Sequence, residues 1–101
     1  MGHPNELVIP PIALDDPKSG EILRAWVAKQ GLHVSMHTNW KDPLGWGIAL
    51  ADIVRHLGNA YAEQRGWKKE DAVARVVQGL YAELGSPTDT PTGSSTSGGP
   101  S

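Results

Sequence analysis

The stretch EILRAWVAKQGLHVSMH, residues 21–37, decides the fold. In its first half Ile22, Leu23, Trp26 and Val27 recur at helical spacing. Asp15-Asp16-Pro17 precedes them with an Asp for the N-cap and a Pro for N1. Gly31 stands where a left-handed C′ residue ends a helix. The second half alternates: Leu32, Val34 and Met36 point one way, and His33, Ser35 and His37 the other. That is a half-buried strand. Upstream, Glu6-Leu-Val-Ile9 is a short β-prone run stopped by Pro10-Pro11, so it is expected as a first or edge strand. Two strands joined by a helix predict a parallel, right-handed crossover.

Downstream, Thr38-Asn39-Trp40-Lys41 is a loop, and Asp42-Pro43 repeats the helix-start pattern of Asp16-Pro17. The helix it opens carries Trp46, Leu50, Ile53, Val54, Leu57, Ala60 and Tyr61 on one face. Asp52, Arg55, His56, Asn59 and Glu63 share the opposite face, and Gly66 is the expected stop. Trp67 leads into a third helix as a hydrophobic staple. Val73, Val76, Val77, Leu80, Tyr81 and Leu84 form its apolar stripe, and Gly85 and Pro87 end it. The order is therefore β-α-β-α-α, a small two-layer α+β domain with a short two-stranded sheet packed on three helices. A two-stranded sheet is weak alone, which leaves it open to extension by a partner chain.

The last sixteen of the 101 residues, Ser86–Ser101, are Ser, Thr, Gly and Pro except for Asp89. They carry no apolar surface to offset ordering, so they are expected as a disordered tail behind a single domain over residues 1–85. A domain of that size buries only about 60–65% of its unfolded surface and usually needs a disulfide, a metal or a partner subunit. The sequence has no cysteine, which excludes disulfides and thiolate zinc sites and favours the partner subunit. The formal net charge is −2 with no basic stripe, which argues against nucleic acid. No apolar run reaches the ~18 residues of a membrane span and no targeting segment is visible, so a cytoplasmic location is expected.

Gly45 and Gly47 flank Trp46 in the first turns of the second helix, at roughly 1 kcal/mol each against Ala in a helix interior. Three explanations stand: Trp46 tucks into its own chain, it forms a dimer contact, or the free N–H groups of the helix start hold an anion. The Gly45-x-Gly47 pair is no dinucleotide fingerprint, because Leu50 occupies the third position. His33 and His37 lie about 13 Å apart along a strand, too far to share one metal. Asp52 and His56 are helix-surface neighbours, a spacing that suits a metal pair or an oriented base as well as a plain solvated face. No nucleophile motif and no phosphate-cradling loop is present, so neither a catalytic residue nor a cofactor is expected.

The segments EILRAW (21–26), HVS (33–35), W-x-D-P-x-x-W-G (40–47) and LADIVRH (50–56) resemble a family of short proteobacterial proteins known only as a domain of unknown function. The similarity spans roughly residues 7–87. It implies one compact α+β domain and no activity, cofactor or site residue. The resulting expectation is a small bacterial, cytoplasmic, homodimeric interaction module rather than an enzyme. Its seam would include Trp40–Gly47 or the exposed edge of the Leu32–His37 strand. The alternative is a small-molecule or metal site around His37, Asp52 and His56, beside Trp40.

Overall fold

The computed structural model describes residues 2–85; the Ser86–Ser101 stretch expected as a disordered tail lies outside them. The chain divides into two compact units, Met1–Lys41 and Asp42–Ser101. The described elements are helix α1 (Pro11–Asp15), strands β1 (Leu23–Ala28) and β2 (Gly31–Met36), and helices α2 (Leu44–Arg65) and α3 (Lys69–Gly85). The α+β class holds, with one two-stranded sheet and three helices. The element order expected from the sequence does not: α1 precedes both strands, and those strands are sequence neighbours.

In the first unit, Glu6–Ile9 forms no strand; it is chain outside any ladder, leading to Pro10 and the single-turn α1, which has Pro11 in its first turn. Asp16-Pro17 opens no helix either. The Asp16 carboxylate accepts the Lys18 N–H at 2.9 Å, and the Asp16 carbonyl accepts the Ser19 N–H at 3.0 Å. This is a turn with Asp at its first position and Pro at its second, residues that suit a turn as well as a helix start. The chain leaves it extended, and the segment expected as helix is β1.

β1 pairs antiparallel with β2, from Leu23↔Met36 to Ala28↔Gly31. The expected parallel crossover is therefore a two-residue hairpin, Lys29-Gln30. Both residues are left-handed, with φ of 49° and 65°. Positive φ at both central positions matches the right-handed twist of the flanking strands, which is why such loops normally carry Asn-Gly or Gly. Here the left-handed backbone falls on Lys and Gln, at a steric cost. Gly31, expected as the left-handed stop, instead closes the ladder opposite Ala28.

The second unit follows the sequence closely. Asp42 Oδ1 accepts the Leu44 N–H at 2.9 Å, and Pro43 is already helical at φ −56° and ψ −16°. α2 ends at Gly66, left-handed at φ 73°, and the Gly66 and Trp67 N–H groups both return to the Tyr61 carbonyl. α3 folds back against α2. At the centre of that contact lie Gly58 and Ala72, the only buried residues of the two helices. A methyl placed on Gly58 would lie 2.5 Å from Val73 Cγ2 and 3.3 Å from the Lys69 carbonyl oxygen. The helices meet this closely because position 58 has no side chain.

Candidate functional site

The apolar stripe of α2 does not point at α3. At about 100° per residue, its centre at Trp46, Leu50, Ile53 and Leu57 lies roughly 100° around the helix from Gly58. Only the near edge, Val54 and Tyr61, turns toward the α3 side. As a result Leu50, Ile53, Leu57 and Tyr61 remain 36–45% exposed. Elsewhere on α3, Tyr81 is 70% and Leu84 76% exposed. Trp67 packs edge-to-face on Tyr61, with ring centroids 6.2 Å apart at 84°. The two aromatics border a 310 Å³ hollow shared with Ala72, Arg75 and Val76. Trp67 thus sits where a staple residue belongs, five residues ahead of the fourth helical position of α3, which Ala72 fills. The exposed apolar area of this face is on the order of several hundred Å², the largest that a monomer usually leaves open.

At the start of α2, Gly45 and Trp46 are half-buried and Gly47 is exposed. A Cβ added at Gly47 would meet no atom within 4 Å among the described residues, so none of them occupies the space beside that glycine. Asp52 and His56 do meet on the polar face: His56 Nε2 lies 3.4 Å from Asp52 Oδ2, and Arg55 lies 3.8 Å from Asp52 Oδ1. All three side chains are about two-thirds exposed or more, the setting of a weak surface ion pair. Among the described residues no group of three or more His, Cys, Asp or Glu is placed to hold a metal.

In the first unit, His33 stands opposite Trp26, and its Nε2 lies 3.1 Å from the Ala28 carbonyl oxygen. His37 follows β2 and donates its backbone N–H to the Ile22 carbonyl at 3.0 Å. Trp40 is exposed in the loop after the sheet. A cluster that sequence reasoning missed centres on Arg24 of β1. Its guanidinium pairs with Glu6 and makes two hydrogen bonds to Glu21, at 3.0 and 3.2 Å. The Glu21 hydrogen bond, opposed by partial desolvation and helped by the charges of Glu21 and Glu6, holds the Arg24 pKa above its usual value. The pair ties the N-terminal segment to β1 beside a 660 Å³ hollow lined by Asn5–Pro10 and Leu23–Trp26. Glu6 and Arg24 are eighteen positions apart, so only the folded chain identifies them as partners.

Comparison with known proteins adds the following. The profile of a family described as "Domain of unknown function (DUF5076)" matches residues 6–88. No protein of curated function matches the sequence. One matching solved structure is described as that of "a putative pyruvate dehydrogenase from the photosynthetic bacterium Rhodopseudomonas palustrus CGA009". It is 34% identical, with a TM-score of 0.68, over 95% of this chain and 98% of that one. Among the described residues no helix is long and apolar enough to cross a membrane.

Proposed function

The chain belongs to the DUF5076 family, and on that footing we propose that it is a homodimerising interaction module whose seam is the open apolar face that α2 presents in the α2–α3 hairpin. The observation that carries this is the mismatch on α2, whose apolar stripe faces well away from the helix it packs against. Two hairpins placed face to face would bury Leu50, Ile53, Leu57 and Tyr61 as a four-helix core, the usual fate of such stripes. The small contact at Gly58 and Ala72 supplies little stabilisation by itself, which further supports a partner of the same kind.

Native mass spectrometry and sedimentation equilibrium test this on the full chain. A dimer is expected in the micromolar range. Leu57→Asp places a charge in the seam and is expected to raise the dissociation constant at least ~30-fold while helical circular dichroism persists. Asn59→Asp, on the polar face, is expected to leave the dimer unchanged. A wild-type chain that stays monomeric at high micromolar concentration overturns the proposal. The dehydrogenase named for the Rhodopseudomonas relative gives no residue of this chain a catalytic role, since the Asp52–His56 pair lies on an open helix face.

A further inference from the structure

We infer that β2 is a self-recognition edge: two copies of the chain join β2 to β2, antiparallel about Val34, into one continuous four-stranded sheet. This rests on the dimer reading only in taking a second copy as the occupant. It adds a contact which that reading does not contain.

The ladder shows which backbone groups are available. The His37 N–H bonds the Ile22 carbonyl, so 22 and 37 form a hydrogen-bonded pair. In an antiparallel ladder such pairs alternate, which makes Arg24–Ser35, Trp26–His33 and Ala28–Gly31 the next ones. The residues between them direct their N–H and C=O groups outward: Leu23, Ala25 and Val27 on β1, and Leu32, Val34 and Met36 on β2.

The two outer edges are protected very differently. β1 carries a charge within the strand, Arg24, whose guanidinium is paired with Glu6 of the N-terminal segment. Charge, a proline and covering chain are the usual devices that keep an edge from pairing. Among the described residues of the first unit, β2 has none of them. Its sequence, GLHVSM, contains no Lys, Arg, Asp, Glu or Pro, its register has no bulge, and every residue after Gly31 is exposed.

The strand is also complementary to itself. Turned about Val34, it sets Val34 opposite Val34 of the second copy, Leu32 opposite Met36, and His33 opposite Ser35. Apolar residues meet apolar ones on one face, polar meet polar on the other, and no like charges oppose. That is what a two-fold contact requires of a single patch. The apolar face so doubled includes Val27, 83% exposed, and Leu32, 69% exposed. Four strands also exceed the three that an independently stable sheet needs.

Residue-resolved amide exchange by NMR on the full chain, at about 20 µM and about 1 mM, tests this. The Leu32, Val34 and Met36 amides point outward and are expected to exchange on the order of tenfold more slowly at the higher concentration. The His33 and Ser35 amides are already paired within the hairpin and serve as internal references. Val34→Lys, at an exposed position, is expected to abolish the concentration dependence at Leu32 and Met36 while the helical seam persists. A dimer in which these three amides keep one rate overturns the edge pairing and leaves the α2–α3 seam standing. A monomer at both concentrations overturns both.

Discussion

The β1–β2 hairpin and the α2–α3 hairpin each fold an apolar segment back on its neighbour over a connection of two or three residues, yet different forces close them. The β-hairpin closes through its backbone: six register pairs and no buried side chain. The α-hairpin closes through side chains, or rather the lack of one at Gly58, with Ala72 buried beside it. A helix satisfies its own hydrogen bonds, so packing alone decides where it docks and what it leaves bare. A strand needs a neighbour for half its hydrogen bonds, so it always leaves an edge. The two hairpins therefore leave different things unfinished: an apolar face on one, a row of backbone groups on the other.

The sharpest way to break the helical side of this contrast is Gly58→Ala. Overpacking against Val73 and the Lys69 carbonyl costs about 1–3 kcal/mol, partly offset by about 1 kcal/mol of helix propensity. A net loss is expected in urea unfolding at fixed protein concentration. Adding Val73→Ala is expected to recover part of it, because it removes the methyl that blocks the new one. If Gly58→Ala stabilises the chain, the close approach is not what joins the helices.

A smaller loss, about 1 kcal/mol, is expected for Asp42→Ala, which removes the carboxylate that accepts the Leu44 N–H. The loss belongs to the start of α2, so exchange is expected to quicken at Leu44 and Gly45 and not in the β-hairpin. The β-hairpin has the opposite vulnerability. Lys29→Asn with Gln30→Gly is expected to stabilise it by about 0.5–1 kcal/mol, since both new residues accept positive φ more readily. A chain destabilised by this pair would contradict the left-handed turn.

The smallest effect expected is at Arg24. Its guanidinium is solvent-exposed, so Arg24→Ala is expected to change stability less than any of the above. That change should fade in high salt, as screening weakens the Glu6 and Glu21 pairs in the parent. A loss that persists in salt would mean that the arginine stem, not its charge, holds the N-terminal segment to β1.

Where local chemistry is unambiguous, the sequence foretold the structure. Asp42-Pro43 and Gly66 bracket α2 because a capping carboxylate and a left-handed glycine act within one turn of chain. Leu32–Met36 reads as a strand because alternation over five residues has no helical counterpart. Ile22–Val27 reads wrongly for the same kind of reason. Its apolar residues fit helical spacing, Asp16-Pro17 suits a turn as well as a helix, and Lys29-Gln30 lacks the glycine that announces a tight hairpin. The Arg24–Glu6 pair was not legible at all.

By itself, then, the sequence determined the α+β class, the two long helices with their limits, and the strand at β2, each through interactions spanning a few residues. Only the tertiary structure decided that β1 is a strand, because a strand is stabilised by whatever lies beside it. The same holds for α2: periodicity defines an apolar stripe, but a glycine elsewhere on the helix decided where α3 packs, and so what remains exposed.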